Sequence, residues 1–292
     1  MKRLLFTLLF FAIFGQLTTS CLQFRMSQKE AHEYFEGEEL QPTIRNYKID
    51  GRKINYAEIG YDSLPVVIFF HGAPGGWDAF VDFMKDTKLL KQVKMISVDR
   101  PGYGDSDLGK PEVSLKKQAT LLKPILKKYK TKKNKIILIG HSFGGPIIAR
   151  LAIDYPKLVD GLIFVAGSID PNLEKEEWYR PVLRVPPIKW LMPASLCATN
   201  EEICFLKGEL TDMLPYWKNI TVPTIVIQGE DDKLVPKGNA DFAKKMLVNA
   251  PVQVQIIPAQ NHFIPWNNPA LIKNAIFEQL GELTIKASSK NK

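Results

Sequence analysis

Five short runs in this chain are apolar almost from end to end: Pro65–Phe70, Val93–Val98, Lys135–Ile139, Gly161–Val165 and Pro223–Ile227. A strand wetted on one face alternates polar and apolar residues, so near-continuous apolar runs describe strands covered on both faces. Between them lie stretches of helical character, among them Val113–Lys130, Phe143–Tyr155 and Asn239–Leu247. Alternation of this kind predicts an α/β fold, a mostly parallel sheet with helices on both faces. Thr43–Ile49 and Lys53–Ile59 flank the turn dipeptide Asp50-Gly51 and add an antiparallel edge. Val252–Ile256 completes eight strands. A chain of 292 residues, 45% hydrophobic, can bury such a core without disulfides or metals.

The alternation breaks between residues 171 and 219. That segment is rich in Trp, Pro and charge (Trp178, Pro186-Pro187, Trp190, Trp217) and holds no convincing strand. It reads as an inserted helical cap, because a structureless loop of that length is uncommon in a compact domain. The core is then expected over residues 43–170 and 220–286, preceded by a polar tether or short helix at 21–42.

The first twenty residues describe an export signal. Lys2 and Arg3 precede an apolar run from Leu4 to Phe14, too short to span a bilayer comfortably. Thr19 and Ser20 directly before Cys21 resemble a bacterial lipoprotein signal, in which the cysteine is lipidated and becomes the new N-terminus. The match departs from the usual pattern in having Thr18 where a leucine is common, with Leu17 one place earlier. The expectation is an exported protein of the cell envelope, held to a membrane by a lipid on Cys21. An ordinary secretory signal and an uncleaved N-terminal anchor are the alternatives. In an exported chain Cys197 and Cys204 are an even pair. On one straight helix they would stand about 10 Å apart, so a disulfide requires a turn between them, and Ala198-Thr199-Asn200 could supply one.

The net charge is +8, and nine lysines crowd between Lys116 and Lys135 on and just after a predicted helix. A modest, clustered excess describes a solvated outer face and not a nucleic-acid binder.

Chemistry enters at Gly140-His141-Ser142-Phe143-Gly144, a G-x-S-x-G sequence with a strand directly before and a helix directly after. The chain must turn sharply there, which leaves Ser142 strained and exposed, and side chains at 140 and 144 would meet neighbouring backbone. A serine nucleophile needs a base, and the chain has four histidines. His32 lies in the tether, His141 adjoins the serine and should point away, and His71 opens the loop His71-Gly72-Ala73-Pro74. His262, after the last strand, remains as the base. A carboxylate must orient it. Glu230, Asp231 and Asp232 compete on the loop after Pro223–Ile227, and Asp170 lies after the preceding strand.

Taken together these blocks, from about Tyr47 to Gln279, resemble the α/β-hydrolase family related to microbial carboxylesterases, carbon–carbon bond hydrolases and proline iminopeptidases. The resemblance implies the α/β-hydrolase fold, an eight-stranded, mostly parallel sheet with helices on both faces and a small cap. It implies a triad of Ser142, Asp232 and His262, since Gly229, Asp232, Val235 and Pro236 match the family's G-x-x-D-x-x-V-P spacing. It implies oxyanion donors at the backbone amides of Phe143 and Ala73, the latter the variable residue of an H-G-x-P pattern. Asp99-Arg100-Pro101-Gly102-Tyr103-Gly104-Asp105-Ser106 resembles the D-x-P-G-x-G-x-S signature of the cap-bearing branch, with a structural turn as its expected role.

Haloalkane dehalogenases and epoxide hydrolases use an aspartate nucleophile, which Ser142 argues against. Iminopeptidases grip a free amino terminus with cap carboxylates, and Glu174, Glu176, Glu177, Glu201 and Glu202 are available, with surface solvation as their default role. The cap's Trp and Leu residues point to an apolar acyl pocket, although a cap with its own small core would look the same. The expected activity is hydrolysis of a small or medium carboxylic ester, with an amide or peptide substrate as the alternative. A hydrolase-fold binding protein without activity is the less favoured reading. No metal, cofactor, nucleic acid or specific protein partner is implied.

Overall fold

The computed structural model describes residues 25–131 and 134–290, with side chains to residue 281. The leader and Cys21 lie outside these residues. Among the described residues no helix is long and apolar enough to cross a membrane.

Eight strands form one sheet: β1 Thr43–Ile49, β2 Arg52–Ile59, β3 Val66–Phe70, β4 Lys94–Val98, β5 Ile136–His141, β6 Gly161–Val165, β7 Thr224–Gly229 and β8 Val252–Ile257. Their spatial order is β1-β2-β4-β3-β5-β6-β7-β8. The β1–β2 and β2–β4 pairs are antiparallel and the rest are parallel. Asp50 and Gly51 both take positive φ, 49° and 72°, the backbone that a two-residue hairpin turn needs. Strands β3 to β7 are buried at every position, whereas the edge strand β8 is only half-buried.

Each face of the sheet carries its own apolar cluster. On one, helices α2 (Leu115–Tyr129) and α3 (Gly144–Asp154) pack Leu122, Leu126, Ile148 and Leu151 against Ile68, Leu138 and Phe164. Behind the other lie Phe69, Ile139, Ile163 and Ile227, with Ile272 and Ile276 of the C-terminal helix Pro269–Lys290. The stretch expected to be a tether carries helix α1 (Gln28–Tyr34), closed at its start by a reciprocal Ser27–Glu30 capping box. The residue after it, Phe35, is fully buried in this second cluster.

Residues 171 to 219 contain short helical turns and one long helix, α4 (Ala194–Met213). Leu206, Leu210, Met213 and Trp217 join the core. The expectation of an apolar pocket built from the segment's tryptophans is corrected here: Trp178 and Trp190 are 83% and 77% exposed, and Trp217 is buried against Phe164 and Phe242. The two exposed indoles sit at short helical turns, Trp178 edge-on to the Tyr179 ring with 6.1 Å between centroids. Helix α4 runs without a break through residues 198–200, so the turn that a disulfide would require is absent, and Cys197 and Cys204 are free thiols.

Candidate active site

Strand β5 ends at His141, and helix α3 begins at Gly144, so the chain reverses over two residues. Ser142 takes a φ of 53°, a left-handed conformation that costs a side-chain-bearing residue on the order of 1–3 kcal/mol. Its backbone is pinned there: its N–H donates to Val165 O (3.0 Å), and its C=O accepts from Gly145 N (2.9 Å) and Ser168 N (3.2 Å). A Cβ at Gly144 would overlap the carbonyl of Phe70, which is why the position demands glycine.

The loop after β7 carries the acids. Asp232 is buried and accepts four hydrogen bonds. Leu234 N (2.9 Å) and Val235 N (2.8 Å) donate to Oδ1, and Gln228 Nε2 (3.2 Å) and the His262 ring (2.8 Å) donate to Oδ2. Glu230 and Asp231 are exposed, with Lys237 3.5 Å from Glu230. Asp170 closes the turn at Pro171, accepting from Asn172 N (2.9 Å). The carboxylate that meets the imidazole is therefore Asp232.

His262 follows β8 and is 6% exposed. Its Nδ1–H donates to Asp232, which leaves Nε2 as the nitrogen able to take a proton. Its carbonyl lies 3.1 Å from His141 Nε2, and the two rings are 4.8 Å apart, which brings position 262 beside the serine's immediate neighbour. Burial, then the nearby His262, push the His141 pKa down to about 3, so His141 is neutral and its Nε2–H donates to that carbonyl. Among the described residues Ser142 Oγ makes no hydrogen bond, as is common before substrate aligns a site of this kind.

Opposite the elbow lies the loop after β3. A Cβ at Gly72 would stand 3.0 Å from Ser142 Cβ and 3.5 Å from its Oγ, so this backbone passes directly over the hydroxyl. Among the described residues neither the Ala73 N–H nor the Phe143 N–H donates to a protein acceptor. His71 is buried, donates from Nδ1 to Gly72 O (2.6 Å) and accepts Arg100 N at Nε2 (3.0 Å). Burial, then Arg100, hold its pKa far below the usual histidine range.

The D-x-P-G-x-G-x-S segment does what its expected role requires. Asp99 accepts from Trp77 N (2.7 Å), Asn55 Nδ2 (2.8 Å) and Asp105 N (2.9 Å), tying three stretches of chain together. Arg100 beside it is fully buried and paired with the equally buried Glu202 of α4, a contact that sequence reading missed. The two lie 102 positions apart, and no local pattern links one to the other. Among the described residues, no group of three or more His, Cys, Asp or Glu side chains converges as a metal site would require.

This sheet order, with a strained serine at the carboxyl end of a central strand, belongs to the α/β-hydrolase fold. The chain has the α/β-hydrolase fold and matches the alpha/beta hydrolase fold family over residues 65–207. Similar proteins include epoxide hydrolase 3 of Mus musculus, 22% identical over 79% of this chain and 74% of that one. The 2-(acetamidomethylene)succinate hydrolase of Mesorhizobium japonicum is 24% identical, over 76% and 90%. Among solved structures, a membrane phospholipase A described as a bacterial virulence factor superposes with a TM-score of 0.63 at 18% identity, covering 97% of this chain and 99% of that one. The protein is a hydrolase by its fold and its family match.

Proposed function

We propose that this hydrolase cleaves a small or medium carboxylic ester through an acyl-enzyme on Ser142. The observation that carries the reading is the 2.8 Å Asp232–His262 hydrogen bond, with the His262 ring packed on His141, the immediate neighbour of a serine at φ 53°. With Nδ1–H engaged by Asp232, His262 Nε2 takes the Ser142 proton as Oγ bonds to the ester carbonyl carbon. The carbonyl electrons move onto oxygen, where the free N–H groups of Ala73 and Phe143 stabilise the anion. Collapse expels the alkoxide, which takes the proton from His262. Water then repeats the sequence on the acyl-enzyme, releasing the acid and restoring Ser142.

Relatives named as epoxide hydrolases do not redirect the reading, because position 142 offers a hydroxyl where an aspartate nucleophile is expected in that branch. One observation favours an amide substrate bearing a free amine. Of the five cap glutamates considered, Glu176, Glu177, Glu201 and Glu202 are paired with cations. Glu174 instead accepts from Ser168, whose own N–H donates to Ser142 O, and burial raises its pKa. Turnover of a short-chain p-nitrophenyl ester panel against proline β-naphthylamide separates the two, with the esters expected to be cleaved faster. Loss of all turnover in Ser142→Ala is required by either. A folded wild-type chain that cleaves neither is a binding protein, and the enzymatic reading is then wrong.

The leader supports a further proposal, export and membrane tethering through a lipid on Cys21. Radiolabelled palmitate should enter the wild-type chain and not Cys21→Ala; label that survives the substitution refutes it.

A further inference from the structure

The guanidinium of Arg100 spends all five of its N–H donors inside the protein. Nε donates to His71 O (3.0 Å) and Nη2 to Gly72 O (3.1 Å). Nη1 reaches Gln118 Oε1 (3.3 Å), and the pair Nη1 and Nη2 clasp Glu202 Oε1 and Oε2 at 2.8 and 3.0 Å. Glu202 is equally saturated, accepting also from Gln118 Nε2 (2.8 Å) and Tyr103 Oη (2.6 Å). Neither side chain of the ion pair is exposed at all. A buried pair of this kind gives little net stability over apolar side chains of the same volume, so its value has to be sought in what it holds in place.

What it holds is the proposed oxyanion loop. A peptide group is planar, so fixing the Gly72 carbonyl fixes the direction of the Ala73 N–H on the opposite side of the same plane. Gly72 O is fixed from two sides, by Arg100 and by His71, and Arg100 also holds His71 through its carbonyl and ring. The guanidinium Cζ also lies 4.5 Å from the ring centroid of Phe143, the residue that carries the second free amide. Arg100 therefore touches both halves of the oxyanion site, and Glu202 ties it to helix α4.

We infer that Arg100 and Glu202 form a positioning pair through which α4, docked on the core, aims the Ala73 and Phe143 amides. The inference rests on the esterase reading above. It gives the long helix of the insertion a positioning role at a distance from the reacting atoms.

The test uses the purified full chain, p-nitrophenyl butyrate and circular dichroism, with turnover expressed per folded molecule. Glu202→Gln keeps the shape and removes the charge. It should lower kcat about 10- to 100-fold, short of the ~100- to 1,000-fold typical for loss of a whole donor, with KM within about 2-fold. Tyr103→Phe, which removes one donor to Glu202 and spares the ion pair, should lower kcat in the same direction by about 3-fold. That milder variant decides the matter if Glu202→Gln does not fold. Folded variants with wild-type kcat overturn the inference, whatever their melting temperatures, because the pair is then structural only. A raised KM at unchanged kcat overturns it too. A wild-type chain with no ester turnover overturns the parent reading and this one with it.

Discussion

His262 Nδ1 lies 2.8 Å from Asp232 Oδ2, although the two residues stand on different loops thirty positions apart. The contact fixes the tautomer: a carboxylate only accepts, so Nδ1 carries the proton and Nε2 is left basic. Two backbone amides and Gln228 complete the shell around Asp232, so the carboxylate cannot turn away from the ring without losing other bonds.

Asp232→Asn tests that assignment with little change in shape. An amide in place of the carboxylate favours the wrong tautomer and removes the charge that balances the imidazolium. Ester kcat is expected to fall on the order of 10³- to 10⁴-fold, with KM nearly unchanged. A fall of less than tenfold in steady-state assays would remove Asp232 from the triad.

Two glycines separate folding from chemistry. Gly144→Ala drives a methyl group into the Phe70 carbonyl, a backbone atom that cannot step aside. Urea denaturation should show a loss of at least about 2 kcal/mol. Gly72→Ala meets the serine side chain instead, at 3.0 Å from Ser142 Cβ. That variant should stay folded and lose about 10²-fold in turnover, the order expected when a reacting group is misplaced by roughly 1 Å.

Buried His141 makes stability depend on pH with a definite sign. Its folded pKa is depressed to about 3 while the unfolded value is near 6.5. The unfolded chain therefore takes up a proton that the folded chain refuses, and stability present above pH 6.5 is lost as the pH falls toward 3. His141→Gln can still donate to the His262 carbonyl and does not titrate. The stability advantage of wild type over this variant should shrink by about 2 kcal/mol between pH 7.5 and pH 5 in denaturant titrations. A difference that does not change with pH contradicts the assignment.

Cys197 and Cys204 lie seven residues apart on one unbroken helix, about 10 Å by helical rise. Both should react with iodoacetamide in denaturant without any reductant, read by peptide mass. Protection of the pair until reductant is added would show that α4 is bent between them.

The sheet was legible because its central strands are buried on both faces and therefore apolar throughout; the expected β3 to β7 agree with the observed strands to within one or two residues at either end. The elbow was legible because glycines bracket the serine, and Asp232 and His262 because each follows a strand into a loop at the same sheet edge. Other features depend on contacts that leave no local trace. Glu202 looks like any helical surface glutamate until Arg100 meets it from 102 residues away. Trp178 and Trp190 have the composition of a pocket lining and yet face solvent. Phe35 lies in a polar stretch, and only the partner cluster beneath it explains its burial.

The central claim is that Ser142 is an activated nucleophile, and mass spectrometry after reaction with a fluorophosphonate tests it most directly. One adduct per chain is expected, mapped to the peptide that contains Ser142 and missing in both Ser142→Ala and His262→Ala. A folded wild-type protein that takes no label, or takes it at another serine, would contradict the account.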